Sequence, residues 1–131
     1  MPRSRTLLAA CATFAVVLTG CGEPDVFRTD RPILRIKLDE YRIVPQNVSV
    51  KAGRMKFAPR NTGRLTHNVV VQLVPEKFAA KPIEIGRTQT MQPQEEGEPI
   101  KLQLTPGEYR LVCTIANHDD LGQFGTLKVR R

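Results

Sequence analysis

From Leu34 onward the chain alternates apolar and polar positions with a period of two. Leu34, Ile36 and Leu38 alternate with Arg35, Lys37 and Asp39; Val48 and Val50 flank Ser49; Met55 and Phe57 flank Lys56. The rhythm returns in Val69, Val71 and Leu73, in Ile100, Leu102 and Leu104, in Tyr109 and Leu111, and in Leu127 and Val129. Successive side chains on a strand point to opposite faces, so each run predicts a strand with one buried side. "KAG" at 51–53, "NTG" at 61–63, "TPG" at 105–107 and Gly125 supply turn signals between the runs. Short strands so punctuated predict an all-β, Greek-key β-sandwich of about seven to eight strands, here over residues 33–131.

Two regions depart from this rhythm. Residues 75–99 are rich in Pro, Glu and Gln, with a helix-compatible "PEKFAAK" at 75–81 and a candidate short strand from Ile83 to Ile85. On a compact sandwich such an excursion is either functional or a loose surface loop, and Met91 within it is either a contact residue or incidental. The N-terminal region has a different character. Arg3 and Arg5 precede an apolar stretch from Leu7 to Leu18, followed by the small residues Thr19 and Gly20 and then Cys21. This is the layout of a secretory signal, and the apolar run is too short to span a bilayer.

"Leu18-Thr19-Gly20-Cys21" resembles the bacterial lipobox, which implies removal of residues 1–20 and acylation of Cys21. Residues 21–32 then read as the lipidated cysteine and a polar tether, "GEPDVFRTDRP" from Gly22 to Pro32. The expected location is extracytoplasmic and membrane-anchored, on the periplasmic or cell-surface side. Stable attachment takes more than one acyl chain.

Export changes the meaning of the cysteines. Cys11 belongs to the signal and Cys21 to the lipid, so Cys113 is the only thiol expected in the mature chain. A lone thiol in an oxidising compartment is a liability unless it is buried, protected or used. Charge narrows the partners less sharply. Loss of residues 1–20 leaves 18 Lys and Arg against 13 Asp and Glu, a net charge of +5, suited to anionic lipid or an acidic protein. Nucleic acid is not an expected partner, because aromatic residues make up 5% of the chain and stud no basic motif.

The candidate chemistry lies at the ends of strands. The soft or imidazole donors of the mature chain, apart from Cys21, are His67, Cys113, His118 and the methionines Met55 and Met91. His67 opens "HNVVVQL", Cys113 closes "EYRLVC", and His118 and Gln123 lie in the loop before "GTLKV". If the strands bearing His67 and Cys113 are neighbours, these donors converge at one end of the sandwich. Two imidazoles, one thiolate and a weak axial donor form the blue-copper electron-transfer arrangement.

At this point the chain resembles the cupredoxin family over about Leu34 to Arg131. The resemblance rests on "NTGRLTHN" and "PGEYRLVCTIANHDDLGQFGTLKV", where Tyr109, Cys113, Thr114, His118, Gly122, Gly125, Leu127 and Val129 follow the family's C-terminal pattern. It implies one copper ion held by His67, Cys113 and His118, with Gln123 at the position usually occupied by an axial methionine. It also implies that Asn68 ties the His67 turn to the backbone near Thr114, that the Asn68 backbone N–H donates to the Cys113 sulfur, and that electrons pass through His118. An amide oxygen favours Cu(II) more than a thioether does, so glutamine lowers the expected reduction potential. "ANHDD" departs from the Pro-Gly and apolar surroundings of this histidine in many relatives.

Other chemistries fit less well. A Cys/His hydrolase needs a base oriented by a third group and an oxyanion hole, for which no residues stand out. Catalytic zinc keeps an open fourth position beside a substrate pocket. A copper carrier or storage module shares the ligand set but generally clusters Met or His, which this chain does not. A metal-free interaction domain has no use for the complete set. The expectation is a monomeric, non-enzymatic type 1 copper protein transferring single electrons between extracytoplasmic redox partner proteins.

Overall fold

The computed structural model describes residues 24–76 and 80–131. Ten strands occur among the described residues: β1 (Phe27–Thr29), β2 (Ile33–Asp39), β3 (Arg42–Val44), β4 (Asn47–Lys51), β5 (Gly53–Asn61), β6 (Val70–Leu73), β7 (Ile83–Arg87), β8 (Ile100–Leu104), β9 (Gly107–Val112) and β10 (Phe124–Arg130). They form a six-stranded sheet, β1-β4-β10-β9-β6-β7, and a four-stranded sheet, β3-β2-β5-β8. Both sheets are mixed, with β4 parallel to β10 and β2 parallel to β5.

Alternation in sequence becomes burial in space. Leu34, Ile36 and Leu38 of β2, Met55 and Phe57 of β5, Leu111 of β9, and Leu127 and Val129 of β10 fill the space between the sheets. Each fully buried aliphatic or aromatic side chain contributes about 1.5–3 kcal/mol relative to exposure. Among the described residues every core residue lies between Leu34 and Val129, so a chain beginning at Gly22 retains that core.

The expected strands are present, and two more of three residues each bring the number to ten. β3 lies between β2 and β4 on the edge of the smaller sheet. β1 corrects the expected tether: Phe27, Arg28 and Thr29 pair in parallel with Val48, Ser49 and Val50, so any free linker ends before Phe27. A three-residue strand has too short a pattern to stand out from its polar neighbours. The signal region and Cys21 lie outside the described residues, as does the middle of the helix-compatible stretch.

From residue 83 to 96 the 75–99 segment is integrated into the sandwich. β7 pairs with β6, Arg60 bridges to Glu96, and His67 bridges to Met91. Met91 is buried in the core, which resolves its role as a packing residue.

Candidate metal centre

β6 and β9 are antiparallel neighbours with Val70 opposite Val112, so His67, just before β6, and Cys113, just after β9, emerge at the same end of the sandwich. β10 lies on the other side of β9 with Phe124 opposite Val112, which brings Gln123 beside Cys113. The backbone N–H of Cys113 donates to the Gln123 carbonyl at 3.1 Å. The loop between them carries His118 back over the thiol. It is closed by Gln123 N–H donating to His118 O at 2.9 Å and Gly122 N–H to Asp119 O at 3.0 Å. Two residues in the loop are left-handed, Ala116 at φ 49° and Gly122 at φ 109°. Gly122 takes this conformation without a Cβ penalty. At Gly125 a Cβ would overlap the carbonyl oxygen of Gln46.

The resulting cluster is compact. Cys113 Sγ lies 4.0 Å from His67 Nδ1 and 3.7 Å from His118 Nδ1. The three donor atoms all lie within 4.8 Å of one another. His67 and Cys113 are fully buried and His118 is 8% exposed. Bond lengths of about 2.0–2.1 Å to imidazole and about 2.3 Å to thiolate put N and S about 3.8 Å apart in a trigonal site. The observed separations match that spacing, so one ion fits among the three side chains without their moving apart.

Gln123 contributes a fourth polar group. Its amide nitrogen donates to the backbone carbonyls of Asp39, at 2.7 Å, and Arg42, at 3.4 Å. Carbonyls only accept, so the nitrogen must face them. Its Oε1 is fully buried and has no hydrogen-bond donor. An orphaned buried oxygen costs roughly 1–3 kcal/mol, a cost that a bound cation removes.

Several groups hold the donors in place. Thr114 N–H donates to Asn68 Oδ1 at 2.8 Å, and Asn68 Nδ2 donates to Thr114 Oγ1 at 3.0 Å. These bonds join the segments bearing His67 and Cys113, as the expected Asn68–Thr114 tie requires. The close polar side-chain neighbours of the sulfur among the described residues are the two imidazoles. His67 is further fixed through its own backbone, which exchanges hydrogen bonds with Met91 at 3.2 and 2.8 Å.

Two residues with roles at the site were not singled out from the sequence. Asn61, fully buried, donates to the carbonyls of Leu65, Met91 and Gln92, locking the loop before His67 to the strand behind it. Its sequence signal, "NTG", reads equally as an ordinary turn. Glu40 accepts from the N–H groups of Arg64 and Leu65, and its Oε1 lies 3.8 Å from His67 Nε2. The backbone N–H groups of Leu65 and Arg64 hold the Glu40 carboxyl down to about 2. Burial, and then His118, push the His67 imidazole below its ordinary value, favouring the neutral form that ligates metals. Glu40 opposes that shift and faces the ring nitrogen turned away from the cluster. No residue separation in sequence indicates this pairing.

The architecture has known counterparts. A reduced auracyanin from the photosynthetic bacterium Roseiflexus castenholzii superposes with a TM-score of 0.68 at 20% identity, covering 79% of this chain and all of its own (100%). The fold is that of the cupredoxins. Auracyanin A from Chloroflexus aurantiacus, described as a "blue" copper protein, matches with a TM-score of 0.61 at 17% identity over 75% of this chain and 99% of its own. Rusticyanin from Thiobacillus ferrooxidans matches with a TM-score of 0.61 at 16% identity over 86% of each chain. No family model and no curated protein sequence matches the chain. Within this cupredoxin fold, the His67, Cys113 and His118 cluster occupies one closed end of the sandwich.

Proposed function

We propose that the protein is a type 1 copper electron carrier, with His67, Cys113 and His118 as equatorial ligands and Gln123 as the axial donor. The observation that carries this reading is the convergence of one thiol and two imidazole Nδ1 atoms at 3.7 and 4.0 Å inside the sandwich. The orphaned Gln123 oxygen and the blue copper protein among the fold's counterparts support it. Copper supplies a one-electron couple, with thiolate suited to Cu(I) and imidazole to Cu(II).

The protein's contribution is to hold one geometry for both states. Asn68, Thr114 and Met91 fix the His67 and Cys113 segments through backbone and side-chain hydrogen bonds, so neither donor must move as charge changes. The burial of all three donors leaves no open position for a substrate, which argues for electron transfer without substrate conversion. His118 is the donor nearest solvent, at 8% exposure. Its Nδ1 faces the sulfur and Tyr41 packs edge-on against its ring at 5.4 Å, so the remaining ring edge provides the route to redox partner proteins.

The same proposal includes an extracytoplasmic location and acylation at Cys21. The signal-like N-terminus supports both, and burial of Cys113 explains how a lone thiol survives export. The deciding experiment is titration of the chain from Gly22 onward with Cu(II), followed by visible absorption and EPR. An intense thiolate-to-copper band saturating at one equivalent, with narrow copper hyperfine splitting, is expected. A colourless protein, or one with ordinary tetragonal Cu(II) EPR, overturns the type 1 assignment and favours a carrier, another metal or a metal-free binding domain.

A further inference from the structure

Both sheets carry cations on their outer faces, and those on the four-stranded sheet adjoin exposed apolar side chains. On the six-stranded sheet Lys128 lies 3.7 Å from Glu108, Arg130 reaches Asp30 at 2.6 Å and Ser49 at 2.9 Å, and Arg87 reaches Glu84 at 2.6 Å, while Arg28, Lys51 and Arg110 form no ion pair among the described residues and Lys51 stands opposite Arg130. On the four-stranded sheet Lys56 stands directly opposite Lys101, and Lys37 opposite Arg60. Like charges facing each other across a ladder are destabilising. Arg60 and Arg42 have acidic partners in Glu96 and Asp39. Arg35, Lys37, Arg54, Lys56 and Lys101 form no ion pair among the described residues. Stability alone would place opposite charges on such a surface.

An apolar patch adjoins these cations. Val26, Phe27, Ile33 and Val44 are between 42% and 50% exposed. Phe27, Ile33 and Val44 line one groove together with Arg31 and Arg35, and Ile33 continues into a second groove lined by Arg54, Lys56 and Lys101. The acid at its margin without an ion pair is Asp25, beside Phe27.

The chain enters this face from the N-terminus. Because β1 is hydrogen-bonded into the sheet, only five residues separate Phe27 from Cys21. Fully extended, that stretch spans about 20 Å, so an acyl group on Cys21 enters the bilayer close to the patch.

We infer that this flank, from the β1 and β3 edges across the outer face of β2, β5 and β8, docks on an anionic lipid surface. The inference rests on acylation of Cys21 for its orientation. Val26, Phe27, Ile33 and Val44 enter the headgroup boundary while the surrounding cations meet lipid phosphates, the pairing of apolar burial with basic charge that holds proteins at membrane surfaces. β2 and β5 then lie along the bilayer plane. The copper site, at the ends of those strands, faces sideways and stays open to a membrane-bound or soluble partner.

The test uses the copper-loaded chain from Gly22 to Arg131, which lacks the lipid, with vesicles of phosphatidylcholine alone or mixed with phosphatidylglycerol. Co-sedimentation with the mixed vesicles is expected, and none with phosphatidylcholine. Each of Lys56→Ala and Lys101→Ala should weaken it about fivefold; neither removes a core contact, and an unchanged visible spectrum confirms folding. Lys128→Ala on the opposite sheet should leave it unchanged. Equal loss in all three variants, or no preference for anionic vesicles, overturns the proposal. Retention on immobilised polyglutamate without vesicle binding would reassign the face to an acidic protein. Mass spectrometry of the full chain extracted from membranes tests the anchor separately. An unmodified Cys21 with intact vesicle binding overturns the anchor and leaves the face, whereas acylated Cys21 without vesicle binding overturns the face.

Discussion

His67 and Cys113 are held by strands, and His118 and Gln123 by a loop. The first pair sits at the ends of the neighbouring strands β6 and β9, is fully buried, and is joined by the Asn68–Thr114 bonds. The second pair rides on an eleven-residue stretch from Cys113 to Gln123 with a left-handed alanine at 116. Its anchors are local turns and the Gln123 amide bonds to Asp39 and Arg42. Strands fix position through long-range pairing, whereas a loop can change its residues without disturbing the core. On the proposed function, the strand half would set whether a metal site exists, and the loop half its potential and its access to partners.

The largest effect should come from the strand half. Cys113→Ser is expected to abolish the intense visible band of the copper-loaded protein while far-UV circular dichroism remains that of a sandwich; retained colour would remove Cys113 from the ligand set. The two histidines should then separate the halves. In His118→Gly, added imidazole should restore the absorption band, because the loop opens to solvent. His67→Gly, cut into the fully buried side, should remain unrescued at the same imidazole concentration, and equal rescue of both would erase the distinction between the halves.

A smaller change is expected within the loop. Gln123→Met replaces a hard amide oxygen with a thioether, so the reduction potential measured by voltammetry should rise. An unchanged potential would mean that Gln123 is not the axial donor. Asn68→Ala probes the tie on the strand side without touching the donors. Loss of its bonds, which leaves Thr114 N–H unpaired, should lower stability by about 1–3 kcal/mol, read as an earlier denaturation midpoint with a similar slope. If the midpoint does not move, the Asn68–Thr114 bonds are not what holds the two strand-borne ligands together.

The strands themselves were legible because their side chains are half-buried. Alternation such as Leu34-Arg35-Ile36-Lys37-Leu38 records two environments, core and solvent, at adjacent positions. β1 and β3 were not legible: "FRT" and "RIV" are each a single period long, and the pairing that orders β1 comes from Val48 to Val50, some twenty residues away. The role of residues 75–99 stayed open in the sequence for a related reason. The segment is tied by backbone bridges of Met91 to His67 and of Glu96 to Arg60 on β5, and backbone pairing leaves little trace in composition. Glu40 belongs to the same class, since its contacts are with backbone groups of Arg64 and Leu65 and with His67 across a turn.

By itself the sequence determined the half-buried strands, the donor residues and their order, because hydrophobic period and residue chemistry are local properties. Only the tertiary structure decided that β6, β9 and β10 are adjacent, that two imidazole nitrogens and a thiol meet within 4.8 Å, and that Gln123 turns its amide nitrogen to the Asp39 and Arg42 carbonyls and leaves its oxygen buried without a donor. It also decided that the unpaired cations of β2, β5 and β8 form one face beside the N-terminal strand. Strand order and register depend on which distant runs pair, and that choice is made by the packing of both sheets together.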